Sequence, residues 1–367
     1  MVTKILIIIL TWLVVVNSFA LVSLNRLNLL PDTSYSWINP KEFRPLQGWN
    51  LIDLHSRWDS IWYLDIAKNG YIFAGEEKLS NIVFFPLYPA LIKAGSFVTL
   101  GNYELAGIFI SIICLTFASL FLCKLVKQFH PQINPFLPIM LLLIFPTSFF
   151  LNSIYSESLF LFLSIGCFYY TLKKNYLIAA LFGLFASLTK LTGVILFIPV
   201  IFEYLEAQNF SFKIRPKILY SLLIPSGTAA FLLFHYFAYG DFLLFLKVES
   251  WWGRSFALNT NHFQFITNPA IINFMLDVFY ILLFSIITFF VFKKLKVSYA
   301  LYMIGSILIP LSTGTFMSIG RYILPLFPLY ILLASIKNEC LKFIINLLFI
   351  LLLALNIVLF VNNYWAG

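Results

Sequence analysis

The sequence predicts an all-α, polytopic membrane protein with about eleven transmembrane helices, and three observations support this fold class. Charged residues make up only 11% of the 367 residues, whereas soluble domains contain about 25%. Hydrophobic residues make up 61%, and they form apolar runs that recur from Ile5 to Phe360. Many of these runs approach the roughly 20 residues that an α-helix needs to cross a bilayer. We therefore expect one helical membrane domain over residues 1-367.

The first apolar run, residues 5–24, begins the series of predicted helices. It has no Ala-x-Ala cleavage site of a signal peptide and continues directly into a polar loop at Asn25, so we expect an uncleaved span. Further spans follow the loop of residues 25–105, and polar clusters separate them. Their approximate bounds are 106–123, 137–152, 157–172, 176–189, 192–206, 218–238, 271–292, 298–313, 321–336 and 341–361.

The apolar stretch Val83–Leu100 decides the predicted topology. Pro86, Pro89 and Lys93 interrupt it, and we expect a re-entrant or juxtamembrane element that does not cross the membrane. All the main basic clusters then share one side, which the positive-inside rule assigns to the cytoplasm. These clusters are Lys4, Lys124/Lys127, Lys173/Lys174, Lys213/Arg215/Lys217, Lys293/Lys294/Lys296 and Lys337/Lys342.

This topology places the N-terminus in the cytoplasm, the C-terminus outside, and two long loops, 25–105 and 239–270, on the exoplasmic side. The formal net charge of +9 then reflects the cytoplasmic bases and does not indicate nucleic-acid binding. The cysteines lack CxxC spacing, so they indicate neither a metal site nor a disulfide framework. We expect all four to be small core residues: Cys114, Cys123, Cys167 and Cys340.

The first exoplasmic loop contains Arg57–Tyr71, a dense cluster of acidic, basic and aromatic residues. A carboxylate at the edge of a membrane is unfavourable to desolvate, so Asp59 indicates catalysis rather than packing. Asp53 and Asp65 are each six residues from Asp59, whereas facing positions on a helix are three or four residues apart. If the segment is helical, these acids therefore do not form a carboxylate pair. The aromatic residues have an alternative role as anchors at the membrane interface.

Three exoplasmic bases, Lys190, Arg254 and Arg321, lie beside small or turn-forming residues outside the first loop. Each base could therefore end a helix and point into a shared cavity. Clustered cations would suit a phosphate or diphosphate group, since Arg donates bidentate hydrogen bonds and Lys supplies a point charge. The alternative for each base is that its charged end snorkels to lipid head groups.

Short motifs of acidic, aromatic and turn-forming residues occur along most of the chain. They are Trp58-Asp59-x-x-Trp62-Tyr63-x-x-Ile66-Ala67-x-x-Gly70-Tyr71, Phe84-Phe85-Pro86-Leu87-Tyr88-Pro89, Tyr155-Ser156-Glu157-Ser158-Leu159, Leu188-Thr189-Lys190-x-Thr192-Gly193, Trp252-Gly253-Arg254 and Gly320-Arg321-Tyr322. This ordered set resembles the PIG-V-like mannosyltransferases, which belong to the GT-C class of membrane glycosyltransferases. Together the motifs are specific, although each alone would be weak.

The resemblance implies a polyprenyl- or dolichyl-phosphate-linked sugar donor, usually of mannose, and an inverting transfer on the exoplasmic face. It also implies that an acid in the first exoplasmic loop is the general base, and the Trp58-Asp59 match assigns this role to Asp59. The enzyme must deprotonate an acceptor hydroxyl while it stabilises the departing lipid phosphate. We predict donor-phosphate binding by Lys190, Arg254, Arg321 and Arg57, and substrate binding by Trp58, Asp53, Tyr63, Tyr155, Glu157 and Trp252.

The predicted partners are the lipid-linked donor, membrane lipids, and a glycolipid, glycan or protein acceptor. No metal or other cofactor is required if the cations balance the phosphate charge, although an acidic first loop could hold a divalent metal. The short chain favours a bacterial-type homologue in the plasma membrane. The alternative function is a transporter or flippase of a lipid-linked anion, which would use the same bases but would need no general base.

Overall fold

The computed structural model describes residues 1–27, 29, 51–211, 216–254 and 271–366. The protein is helical over 74% of its residues and has no strand in the described parts, which confirms the all-α fold class. Its α-helices are α1 Val2–Arg26, α2 Ser60–Asn69, α3 Leu87–Ser96, α4 Tyr103–Phe129, α5 Leu137–Leu143, α6 Glu157–Leu172, α7 Tyr176–Ser187, α8 Phe197–Glu206, α9 Leu223–Tyr239, α10 Leu244–Trp251, α11 Ile271–Lys294, α12 Val297–Leu311, α13 Ile319–Ile323, α14 Pro328–Ala334 and α15 Glu339–Val361. Short 3-10 segments, including Asp53–His55, Asn81–Val83 and Leu191–Leu196, connect some of them.

Five helical segments in the described parts are long and apolar enough to cross a membrane: Val2–Arg26, Tyr103–Phe129, Pro216–Tyr239, Asn273–Lys294 and Glu339–Val361. The other predicted spans also contain helix, but each is shorter or is divided into two pieces. The prediction of about eleven crossings is therefore not confirmed, because a short or divided helix does not by itself establish a crossing.

Proline explains why some predicted spans are divided. The predicted span 321–336 consists of α13, which ends at Ile323, and α14, which begins at Pro328. Pro325 lies between them, and proline cannot donate the backbone hydrogen bond that would continue a helix. The first helix of this pair carries Arg321, so the break places a charged side chain at an interruption rather than inside a continuous apolar helix.

The stretch Val83–Leu100 folds largely as α3, a helix of ten residues. Its length of about 15 Å is half of the roughly 30 Å hydrocarbon thickness of a bilayer. The helix packs beside α4, where Tyr88 Oη lies 3.1 Å from the Gly107 carbonyl oxygen and 2.8 Å from Ser111 Oγ. An element this short is compatible with the predicted re-entrant or juxtamembrane position.

Close packing between helices positions the segment that carries Lys190. A Cβ atom added at Gly305 of α12 would lie 2.5 Å from Ile195 Cγ2, so only glycine permits this approach of α12 to Leu191–Leu196.

The terminal helices α1 and α15 also pack together, and Asn362 Nδ2 donates to Ser23 Oγ at 3.3 Å. This contact brings the end of the chain close to the end of α1.

The cysteine prediction is correct for three residues and wrong for one. Cys114, Cys123 and Cys167 are buried free thiols, as expected of small core residues. Cys340 is exposed, because it lies in the first turn of α15, where neighbouring residues are also on the surface.

Candidate active site

A cavity of about 130 Å³ is lined by residues from α2, α10, α12 and α13, by the segment after α7, and by the end of the chain. This volume exceeds the roughly 30 Å³ that one water molecule occupies in the liquid, so the cavity can hold part of a larger ligand. Its charged residues are Asp59, Lys190, Glu249, Arg254 and Arg321, and its aromatic residues include Tyr63, Phe84, Trp252, Tyr322 and Trp365. The structure therefore brings together the predicted acid and three of the four predicted phosphate-binding bases.

Asp59 immediately precedes α2, at the end of a constrained turn. Trp58 adopts φ = 50°, a left-handed conformation that is unusual for a bulky residue and costs about 1–3 kcal/mol. Tyr155 holds the turn on both sides of Trp58: its hydroxyl donates to the Arg57 carbonyl oxygen at 3.0 Å and accepts from Asp59 N at 3.2 Å. The Tyr155 side chain thus fixes the backbone that presents Asp59.

Arg321 contacts two carboxylates. Its Nη1 donates a hydrogen bond to Asp59 Oδ2, and its Nε lies 3.5 Å from Glu157 Oε1. Lys190 Nζ donates to the same Glu157 oxygen at 2.6 Å. These side chains are buried or nearly so, with Asp59 only 8% exposed. Ion pairs in such surroundings are stronger than those on a protein surface, because less water screens them.

Arg254 completes the cationic part of the cavity from the second long loop. Its Nη2 donates to the Met317 carbonyl oxygen at 2.8 Å, and its Nε lies 4.0 Å from Glu249 Oε2.

The ring of Tyr322 lies near all three cations: its centroid is 5.3 Å from Lys190 Nζ, 5.3 Å from Arg254 Cζ and 6.0 Å from Arg321 Cζ. The electron-rich ring face attracts cations at these distances.

The contacts of the three bases argue against snorkelling to lipid head groups. Lys190, Arg254 and Arg321 each form an ion pair inside the protein, and their side chains are 13%, 8% and 12% exposed. A snorkelling side chain would instead extend its charged end to the water at the membrane surface. The three cations therefore belong to the cavity, as the phosphate-site interpretation requires.

Arg57 does not join this group. Its side chain is buried but does not line the cavity, and Nη1 donates to the Ser56 carbonyl oxygen at 3.3 Å. Its Nε and Nη2 have no hydrogen-bond partner in the described parts of the chain. Burial lowers the pKa of Arg57 to about 10. The structure therefore separates Arg57 from the three bases with which we grouped it.

The predicted substrate-binding residues divide into two sets. Tyr63 and Trp252 line the cavity, whereas Trp58, Asp53, Tyr155 and Glu157 do not. Trp58 Nε1 donates to the Tyr364 carbonyl oxygen at 3.2 Å, and its ring packs edge-on against Trp365. Asp53 lies on a 3-10 turn with His55, whose pKa burial lowers to about 4. Trp58, Tyr155 and Glu157 thus contact residues of the cavity from outside its lining, whereas no described contact links Asp53 to the cavity.

Five charged or aromatic lining residues are not among the predicted site residues: Phe84, Phe85, Glu249, Tyr322 and Trp365. Glu249 faces Arg254, and Tyr322 contacts the three cations. Each stands close in sequence to a predicted base, which is a signal that could have identified it. Asp65, in contrast, has a structural role, since it accepts hydrogen bonds from Asn69 at 2.8 Å and Asn81 at 2.7 Å.

The described residues contain no group of three or more His, Cys, Asp or Glu side chains that could hold a metal ion. The acids of the cavity are instead adjacent to bases: Asp59 to Arg321, and Glu249 to Arg254. Such pairs leave each carboxylate next to a positive charge that an incoming cation would have to displace.

Comparison with known protein families identifies one matching family. The family model described as Mannosyltransferase (PIG-V) matches residues 1–254, which is more than half of the chain. No curated protein shows a significant match. The matched part includes Asp59, Glu157, Lys190 and Arg254 of the cavity region, whereas Arg321 lies beyond it.

Proposed function

The chain belongs to the PIG-V mannosyltransferase family, and from this premise we propose that it transfers mannose from a polyprenyl- or dolichyl-phosphate donor to an acceptor hydroxyl. The acceptor is a glycolipid, a glycan or a protein. One observation carries the proposal: a carboxylate, Asp59, shares a cavity with three cations, Lys190, Arg254 and Arg321. This is the combination that transfer from a lipid-linked sugar phosphate requires.

The proposed reaction is a single displacement with inversion at the anomeric carbon. The acceptor oxygen forms a bond to that carbon while the bond from the carbon to the phosphate oxygen breaks. The electron pair of the broken bond stays on the departing polyprenyl phosphate, and the acceptor proton passes to Asp59. Asp59 is suited to this role because the turn around Trp58 fixes its backbone and Arg321 holds its carboxylate at the cavity.

The three cations stabilise the charge that develops on the departing phosphate. Arg254 and Arg321 can donate paired hydrogen bonds to phosphate oxygens, and Lys190 supplies a point charge. These groups are already fixed by Glu249, Asp59 and Glu157, so little reorganisation accompanies the reaction. With this positive charge at the phosphate, the proposed mechanism needs no metal ion.

The membrane arrangement follows from the donor. Because the polyprenyl chain stays in the bilayer, the reaction takes place at the membrane surface. The distribution of basic residues along the sequence supports the exoplasmic side. We place the chain in the plasma membrane with about eleven crossings and the loops 25–105 and 239–270 outside. Arg57 lies off the cavity and has no role in donor-phosphate binding in this proposal.

The decisive experiment replaces Asp59 with Asn, which has almost the same shape but cannot accept the proton. We expect turnover of radiolabelled polyprenyl-phosphate mannose to fall by about 10²–10⁴, the usual contribution of general base catalysis, while donor binding is retained. Asp65→Asn, on the helix that Asp59 immediately precedes, is the matched control and should stay within a few-fold of wild type, because Asp65 does not line the cavity.

Both variants should be purified in detergent and compared at equal thermal midpoint, so that misfolding is not read as lost catalysis. Transfer by Asp59→Asn within a few-fold of wild type would show that Asp59 is not the base. The same comparison separates a transferase from a transporter of a lipid-linked anion, because a transporter would keep its activity without this proton acceptor.

A further inference from the structure

Glu157 contacts two of the three cavity cations without lining the cavity itself. Lys190 Nζ lies 2.6 Å from Glu157 Oε1, and Arg321 Nε lies 3.5 Å from the same oxygen. The Glu157 side chain is 1% exposed. Its position therefore suits contact with the cations rather than with a ligand in the cavity, which differs from the substrate-binding role that the sequence suggested.

Positive charges surround the Glu157 carboxylate. Glu157 begins α6, a helix of 16 residues, and carboxylates in the first turn interact favourably with the positive end of the helix dipole. Lys190 and Arg321 add two positive charges beside it. Oε2 is buried and has no hydrogen-bond partner among the described residues, so the two cations are the main partners of this carboxylate.

The bases of the cavity are paired with acids. Three bases, Lys190, Arg254 and Arg321, face three acids: Asp59, Glu249 and Glu157. The donor is a phosphodiester with one negative charge, whereas the product polyprenyl phosphate is a monoester with a charge of about −1.5 to −2 at pH 7. Positive charge that stabilises the departing phosphate therefore also retains the product.

We propose that Glu157 is a positioning residue that fixes Lys190 and Arg321 at the cavity and weakens their attraction for the polyprenyl phosphate product, so that the product leaves. This inference rests on the proposed function. Glu157 acts through the two cations, and its negative charge opposes the more highly charged product more strongly than it opposes the donor.

The test measures product inhibition in Glu157→Gln, which keeps the shape of the side chain and removes its charge. We expect polyprenyl phosphate to inhibit transfer at concentrations on the order of tenfold lower than in wild type, since one nearby negative charge is lost. Turnover should fall, whereas the donor KM should fall or stay unchanged. Glu157→Asp, which keeps the charge, should restore much of the wild-type product affinity.

Glu104→Gln is the matched control. Glu104 also lies in the first turn of a helix and pairs with a lysine, Lys68, at 3.0 Å, but it does not line the cavity. Its inhibition constant for polyprenyl phosphate should equal that of wild type. Unchanged or weaker product inhibition in Glu157→Gln would overturn the proposal, and so would weaker donor binding.

A second pair of variants covers the case in which Glu157→Gln does not fold. Lys190→Met alone leaves Glu157 without its closest cation, whereas Lys190→Met with Glu157→Gln removes the pair together and avoids an uncompensated buried charge. The double variant should bind polyprenyl phosphate on the order of tenfold more tightly than Lys190→Met. Equal affinities would overturn the proposal, whereas a wild-type enzyme without transferase activity would overturn the proposed function.

Discussion

At the scale of residues, Glu249 is the cavity acid whose protonation we expect to affect donor binding. Burial raises the pKa of Glu249 above its ordinary value, and the negative charge of Asp59 raises it further, whereas Arg254 and Arg321 oppose these effects. Protonated Glu249 no longer competes with the donor phosphate for Arg254. Donor affinity should therefore be highest at low pH and should decrease as Glu249 ionises.

This prediction concerns the pH range above the ordinary glutamate pKa of about 4.3. In wild type, the donor dissociation constant should increase as pH rises through the raised pKa of Glu249. Glu249→Gln should bind donor as tightly as the low-pH wild-type enzyme and should lose this part of the pH dependence. An unchanged pH profile in the Gln variant, measured by equilibrium binding of polyprenyl-phosphate mannose, would exclude Glu249 as the titrating group.

The charged residues of the site could be predicted from the sequence, but which of them line the cavity could not. Asp59, Lys190, Arg254 and Arg321 stood out because charged residues are scarce in this chain, and the structure brings them together. Arg57 could not be separated from them by the same reasoning. Trp58 stands between Arg57 and Asp59 and has a left-handed backbone conformation. Sequence alone does not reveal the turn that this conformation makes.

At the scale of elements, the predicted orientation of the chain in the membrane depends on α3 and its neighbours. Lys68 of α2 precedes Val83–Leu100 and Glu104 of α4 follows it, yet their side chains form an ion pair at 3.0 Å. Lys68 and Glu104, which flank the stretch in sequence, therefore lie close together in the fold. This contact, with the ten-residue length of α3, supports an element that enters and leaves the membrane surface on one side.

Cysteine labelling tests this orientation. Lys78→Cys and Glu104→Cys, made in a Cys340→Ser background because Cys340 is exposed, should both react with an impermeant maleimide on intact cells. Glu339→Cys at the start of α15, on the predicted cytoplasmic side, should react only after permeabilisation. Labelling at position 78 without labelling at position 104 would mean that the stretch crosses and that every later loop changes sides.

The helices themselves could be predicted from apolar runs, because each predicted span contains helix. Their interruptions were less predictable. Pro325 and Pro328 stand in a run that is otherwise apolar enough for one helix, and hydropathy alone does not distinguish a break from a kink. The break separates α14 from α13, the short helix whose Arg321 contacts Asp59.

At the scale of the whole molecule, the cavity joins parts of the chain that are far apart in sequence. Arg321 and Asp59 are separated by 262 residues, and the hydrogen bond from Trp58 to Tyr364 spans 306 residues. The PIG-V family match ends at residue 254, so Arg321, Tyr322 and Trp365 complete the cavity from outside the matched part. Local patterns cannot predict such pairings, which depend on how all the helices pack.

The end of the chain should therefore affect catalysis as well as stability. Trp365 lines the cavity and packs edge-on against Trp58 with ring centroids 5.1 Å apart. Replacing a buried aromatic residue with Ala typically costs about 3–5 kcal/mol, so Trp365→Ala should lower the thermal midpoint. It should also lower turnover, because the turn that presents Asp59 loses support on its Trp58 side. Trp365→Phe should keep most of both.

Trp251→Ala provides the comparison that isolates the catalytic effect. Trp251 stacks on Phe73 with ring centroids 6.4 Å apart but does not line the cavity, so its removal should reduce stability with little change in turnover. Turnover and thermal midpoints of both variants should be measured in the same detergent, below the lower midpoint. If Trp365→Ala and Trp251→Ala retain equal turnover, Trp365 serves stability alone, and the end of the chain has no part in holding Asp59 at the cavity.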